Sequence, residues 1–307
     1  MSKRAFIFPG QGSQYPGMGK DLATVFTLAR QVFEEADDAL GSKLSQLCFE
    51  GPEELLKLTA NTQPAILTVS VAALRVLRAE TGLVADYFAG HSLGEYSALV
   101  AAGALDFADA VRTVRARGTF MQEAVPVGVG AMAAMLSIEP DVLADICAEA
   151  AQGEVVSPAN FNSPGQIVIA GHTGAVNRAI EIAKARGFRK AMLLPVSAPF
   201  HSSLMIPAGE RLAESLASVT VSDLVAPVVS NAEAQPNSDK GRVKELLVQQ
   251  VSAPVLWDAS IREMVTLGVS EFIEIGPGKV LAGLVKRIEK EVVTKNVEDA
   301  SGVKAIA

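Results

Sequence analysis

Ala5-Phe6-Ile7-Phe8 is an unbroken apolar run closed by Pro9-Gly10, the pattern of a short strand buried on both faces. Helical periodicity follows over residues 23–40 and 64–80. A second strand is predicted at 86–89, ending at Gly90, and then a helix over 93–102 with Gly103 as its stop. Another helix is predicted over Phe107–Glu123, with Asp106 as its N-cap. This alternation points to an α/β architecture. The texture changes near Pro126. Strands at 131–136, 155–160, 167–170 and 191–196 enclose helices at 140–151 and 173–185, in the β-α-β-β-α-β order of a ferredoxin-like unit. A small unit at 127–196 is therefore expected inside a larger one made of 1–126 and 197–307. Residues 228–230 and 272–275 read as further strands of the larger unit. The polar tail from Glu289 is expected to end at the surface.

Length agrees with that division, since 307 residues suffice for about two compact units. A net charge of −7 gives no general electrostatic help to nucleic-acid or anionic-membrane binding, so an acidic partner would need a local basic patch. The N-terminal apolar run is too short for a signal peptide, and no stretch reaches the ~20 apolar residues that span a bilayer. A soluble, cytoplasmic protein is expected. Cys48 and Cys147 are expected to be reduced, buried thiols. No Cys/His cluster has metal-ligand spacing, so no metal site is expected.

Gly90-His91-Ser92-Leu93-Gly94 fits G-x-S-x-G between a predicted strand and a predicted helix, the context of a nucleophile elbow in an α/β-hydrolase-like domain with a parallel sheet. The flanking glycines make room for a sharp turn. The Leu93 N–H lies at a helix N-terminus, suited to a developing oxyanion. A serine needs a base, and the chain holds three histidines. His91 adjoins Ser92 and should diverge from it, and His172 falls in a turn of the small unit. His201 lies in Ser197-Ala198-Pro199-Phe200-His201-Ser202, where the large unit resumes, and is the favoured base. The loop Gly10-Gln11-Gly12 fits no phosphate-binding pattern: Tyr15 stands where G-x-G-x-x-G needs glycine, and Met18 where the P-loop needs lysine. Such a loop after a strand presents a backbone N–H to an oxyanion or is a simple turn.

Within Phe107–Glu123, helical spacing puts Phe107, Ala110, Val114, Arg117 and Met121 on one face and Arg112, Arg115, Thr119 and Gln122 on another. Arg117 thus stands in the apolar stripe. A buried guanidinium without a partner costs several kcal/mol on the order of, so either an internal carboxylate or one brought by a substrate must meet it. A planar fork suits a carboxylate in two parallel hydrogen bonds.

Taken together, Phe8-Pro9-Gly10-Gln11-Gly12-Ser13-Gln14, Thr62-Gln63-Pro64-Ala65, Gly90-His91-Ser92-Leu93-Gly94-Glu95, Arg117-Gly118, Asn160-Phe161-Asn162-Ser163-Pro164-Gly165-Gln166, Pro199-Phe200-His201-Ser202 and Ile275-Gly276-Pro277-Gly278 resemble the malonyl-CoA:acyl-carrier-protein transacylase family of fatty-acid synthesis over nearly the whole chain. The resemblance implies Ser92 as nucleophile and His201 as base, oriented by a backbone carbonyl near Gln250. It also implies Gln11 and Leu93 as oxyanion donors, Arg117 as the holder of the malonyl carboxylate, and Gln63 and Asn162 as pocket residues. The implied reaction moves malonyl from malonyl-CoA to the phosphopantetheine thiol of acyl carrier protein through a malonyl-serine. No cofactor is implied, because coenzyme A thioester and phosphopantetheine are substrates. Docking of the acidic carrier is expected on a basic patch drawn from Lys184, Arg186, Arg189 and Lys190 with Lys286 and Arg287, and the chain is expected to act as a monomer. Two rivals stand beside this. A serine hydrolase would recruit an acid such as Asp106, Asp109, Asp141 or Asp145 for His201, and a non-catalytic carrier-binding module would not need Ser92, His201 and Arg117 together.

Overall fold

The computed structural model describes residues 3–196 and 198–306; Met1, Ser2, Ser197 and Ala307 lie outside the described residues, and with them the expected boundary at 197. In chain order the strands are β1 (Lys3–Phe8), β2 (Tyr87–Gly90), β3 (Gly130–Leu136), β4 (Val156–Ser163), β5 (Gln166–His172), β6 (Ala191–Leu193), β7 (Val228–Val229), β8 (Pro236–Asn237), β9 (Val269–Ile275) and β10 (Val293–Val297).

The larger sheet runs β10-β9-β1-β2-β7-β8. Every pairing in it is parallel except β7 with β8. β1 sits near the middle because its residues bury both faces. Phe6 and Phe8 enter the main apolar cluster, while Ala5 and Ile7 enter a second one with Trp257 and Phe272. Burial of a large apolar side chain contributes ~1.5–3 kcal/mol, so this strand anchors both layers.

The second sheet runs β4-β5-β3-β6 and is antiparallel throughout. The helices Pro140–Ala151 and Thr173–Ala185 cover one face and share with it a separate apolar cluster that includes Met135, Leu143, Ile146 and Val176. The opposite face turns Met132, Val168 and Ala170 into the main cluster. The alternation of a strand therefore glues this ferredoxin-like layer to the α/β-hydrolase-like layer. The two also share main-chain hydrogen bonds, since Val255 N donates to Ala159 O (2.8 Å) and Phe161 N donates to Val255 O (2.9 Å).

Three elements differ from the sequence reading. The helix expected over 64–80 spans Thr59–Thr81 and contains Pro64 in its second turn. Nearly all of its first five turns are buried, and packing outweighs the single lost backbone bond. The helix expected over 23–40 is two helices, Lys20–Val25 and Thr27–Leu40, broken at Phe26, whose backbone is extended. The polar tail is folded: β10 pairs in parallel with β9, and the helix Ala300–Ile306 buries Val303. An edge strand needs few apolar side chains, which is why Thr294, Lys295 and Asn296 hid it. Among the described residues no helix is long and apolar enough to cross a membrane.

Candidate active site

Ser92 follows β2 and precedes the helix Gly94–Ala101, with φ 51°. That left-handed conformation is strained for a residue with a side chain. The turn is tight enough to exclude side chains beside it: a Cβ on Gly94 would lie 2.1 Å from the Phe8 carbonyl oxygen. His91 N donates to that same oxygen (3.0 Å), which hangs the elbow on the end of β1. Asn231, just beyond β7, straddles the turn. Its Oδ1 accepts from Ser92 N (2.6 Å) and its Nδ2 donates to Gly90 O (2.7 Å). The site therefore stands at the carboxyl ends of three neighbouring parallel strands, where open α/β sheets place their crevice.

His201 closes on Ser92 from the segment that returns from the small sheet. Its Nε2 is 2.7 Å from Ser92 Oγ. Its Nδ1 faces the backbone oxygens of Gln250 (2.9 Å) and Ala253 (3.2 Å). Carbonyls only accept, so Nδ1 carries the proton and Nε2 accepts the serine hydroxyl. None of Asp106, Asp109, Asp141 or Asp145 is among its partners, so the hydrolase-type acid is not met in this geometry. The other histidines are engaged elsewhere: His91 Nε2 meets Asn162 Oδ1 (2.8 Å), and His172 Nδ1 accepts from Val155 N (2.9 Å). Burial, with Arg117 adding to it, pushes the His201 pKa down to about 3. The imidazole is thus neutral and ready to accept a proton across the neutral pH range.

Arg117 is 1% exposed. Phe107, Ala110, Val114 and Met121 are buried along the same face, while Arg112 is exposed. The guanidinium donates to Gln63 Oε1 (2.8 Å), Gln250 Oε1 (2.9 Å) and Ser92 Oγ (3.1 Å). Among the described residues its Nε has no hydrogen-bond partner, and its Cζ lies over the Tyr96 ring, 5.6 Å from the ring centre. No carboxylate among the described residues touches it directly. The nearest support is Glu95, whose Oε2 accepts from Gln250 Nε2 (2.8 Å). A buried cation of this kind lacks the anion that its planar fork fits.

Gln11, Gln63, Ser92, Leu93, Arg117 and His201 line one cavity of about 110 Å³. Met121, Met132, Leu194 and Phe200 give it apolar walls. Asn162 is not in that lining; it stands behind His91, and Asn160 lines the cavity instead. Among the described residues no group of His, Cys, Asp or Glu could hold a metal ion.

The description that matches this chain is the acyl transferase domain, over residues 5–305. The chain belongs to the acyl transferase family. It is 51% identical over 300 residues to a malonyl CoA-acyl carrier protein transacylase of Bacillus subtilis, covering 97% of this chain and 94% of that one. An acyl carrier protein S-malonyltransferase from Vibrio cholerae superposes with a TM-score of 0.97 at 47% identity, with full coverage of both chains. A malonyl-transacylase in complex with its type II PKS acyl-carrier protein superposes equally well, with a TM-score of 0.97 at 45% identity over 99% of this chain and 98% of that one. Two residues of this acyl transferase's site escaped sequence reasoning. Asn231 carried a faint signal, a polar residue just past a predicted strand of a parallel sheet. Glu95 carried a clearer one, since its helix is otherwise apolar or small, yet it is only 2% exposed.

Proposed function

We propose that the protein transfers a malonyl group from malonyl-CoA to the phosphopantetheine thiol of acyl carrier protein. The observation that carries this reading is Arg117: a buried guanidinium without a carboxylate partner among the described residues, lining the same cavity as a paired serine and histidine. A substrate carboxylate completes it. Ser92 Oγ attacks the thioester carbonyl while His201 Nε2 takes its proton. The tetrahedral oxyanion is met by the backbone N–H groups of Gln11 and Leu93. The carbon–sulfur bond breaks, His201 returns the proton to the leaving coenzyme A thiolate, and malonyl-Ser92 remains. The carrier thiol then gives its proton to His201 and attacks the ester, and Ser92 leaves protonated. Gln63 holds Arg117, and the Gln250 carbonyl holds the tautomer of His201. Asn162 acts through His91 rather than by contact with substrate.

The reading extends to the units and to docking. Residues 1–126 with 197–307 form the catalytic unit, 127–196 form the small one, and the chain acts as a monomer. Lys184 and Arg186 already pair with Glu181 and Glu149. Docking therefore falls to the exposed Arg189, Lys190, Lys286 and Arg287. Leu136 N donates to Lys190 O, Leu136 pairs with Gln166, and Arg287 donates to Gln166, so these cations share one end of the small sheet. From there β6 leads toward Leu194 at the cavity, ~13 Å at the rise of a strand.

Intact-protein mass spectrometry of wild type and Arg117→Ala, each with malonyl-CoA or acetyl-CoA and with or without carrier protein, tests this. Malonyl should appear on Ser92 and then on the carrier, and the loss of charged hydrogen bonds in the variant should cut malonyl loading by ~10²-fold. Release of free malonate by wild type, or an unchanged acyl preference in the variant, would overturn it.

A further inference from the structure

We infer that Glu95 is a positioning residue: its carboxylate sets the orientation of the Gln250 amide and, through it, aims Arg117 at the acyl carboxylate. The inference rests on the reading of Arg117 given above.

One oxygen, Glu95 Oε2, accepts from Gln250 Nε2 (2.8 Å) and from Asn231 N (3.0 Å). Gln250 is 1% exposed, and each end of its amide has an assigned task. Nε2 also donates to Ser92 O (2.8 Å), and Oε1 accepts from Arg117 Nη2 (2.9 Å). An amide side chain has two orientations of nearly equal shape. In the flipped one, the Gln250 NH2 group would face the guanidinium donor to donor, and Oε1 would face the carboxylate acceptor to acceptor. Oε2 already accepts from two N–H donors and so stands as an acceptor, and Glu95 excludes the flip. The backbone oxygen of the same Gln250 accepts from His201 Nδ1, and Asn231 holds Ser92 N. Glu95 thus touches no reacting atom but stands one residue away from base, nucleophile and arginine alike.

Its environment fits this role. Glu95 lies on the helix Gly94–Ala101, and among the described residues no cation pairs with it directly. Burial raises its pKa to about 7, while the donors from Gln250 and Asn231 and the charge of Arg117 pull the other way. The side chain is held by these donors rather than by an ion pair.

The test measures single-turnover acylation of Ser92 by malonyl-CoA and by acetyl-CoA in Glu95→Ala, Glu95→Gln and Arg117→Ala/Glu95→Ala, with thermal unfolding of each. Acetyl loading does not call on Arg117. Glu95→Ala should therefore lower the malonyl-to-acetyl ratio by ~10-fold, the equivalent of one well-placed hydrogen bond. Glu95→Gln keeps a carbonyl for both donors and should restore the ratio to within ~3-fold of wild type. On the Arg117→Ala background, Glu95→Ala should leave the ratio unchanged. If Glu95→Ala does not fold, Glu95→Met removes the acceptor while keeping the volume. An equal fall for both acyl groups, with the ratio intact, would make Glu95 merely structural and overturn the inference alone. A wild type without malonyl preference, unaltered by Arg117→Ala, would overturn the reading of Arg117 and this inference together.

Discussion

Replacing Asn231 by alanine isolates the tether of the elbow from the chemistry performed on it. The side chain accepts from Ser92 N at 2.6 Å and donates to Gly90 O at 2.7 Å. Its loss leaves a half-buried N–H and a buried C=O without this partner, together costing up to ~2–6 kcal/mol. Unfolding entropy of ~2.1 cal/mol/K per residue gives a chain of 307 residues ~0.6 kcal/mol/K. The melting temperature should therefore fall by ~3–10 °C. Ser92, already at φ 51°, loses the contact that holds its N–H away from the oxyanion position. Acylation by malonyl-CoA should drop with kcat affected more than KM, because neither atom of the tether meets the substrate. Calorimetry and rapid-quench mass spectrometry read the two effects. A melting temperature within ~1 °C of wild type, with acylation unchanged, would refute the claim that this side chain supports the elbow.

Because the His201 pKa is down at about 3, kcat/KM for acylation by acetyl-CoA, which does not call on Arg117, should show no falling limb between pH 8 and pH 5; an acidic limb near 6.5 in the free enzyme would contradict the burial argument. The same shift carries a stability sign. Unfolded histidine binds a proton below ~6.5 that the native residue refuses, so stability falls as pH falls from there toward 3. Wild type should lose ~2 kcal/mol more than His201→Gln on going from pH 7 to pH 5, by urea unfolding. Gly94→Ala forces a Cβ to within 2.1 Å of a main-chain oxygen and should destabilise by ~1–3 kcal/mol or more with loss of acylation, measured by the melting temperature. Charge reversal at Arg189 and Lys190 should raise KM for the carrier and flatten its salt dependence while leaving Ser92 acylation by malonyl-CoA alone unchanged.

The chemistry was more legible in the residues than the architecture around it. The helix Phe107–Glu123, its Asp106 cap and the misplaced Arg117 follow from a 3.6-residue period and one capping side chain, all local information. The order of the small unit was readable for the same reason, because each strand and helix announces its own period. What stayed hidden depends on long-range placement. β10 is polar because it is an edge, and only its pairing with β9 makes it a strand. Asn162 lies two residues beyond Asn160 on β4, where regular alternation would put both on one face; register irregularities against β5 at 158–160 and 161–163 break that alternation, and only Asn160 lines the cavity. Glu95 and Asn231 are separated along the chain, and only the fold brings their hydrogen bond into being.

The histidine of this site is steered by peptide oxygens, those of Gln250 and Ala253. A side-chain carboxylate in that position could be lost by a single base change, whereas a carbonyl is present whatever residue the codon specifies. Substitutions at position 250 therefore strike the arginine through the amide while the proton of His201 keeps its acceptor. With the roles proposed above, acyl selection and proton transfer are heritable as separate traits even though one residue serves both, and variants with altered acyl choice can arise without passing through a dead enzyme.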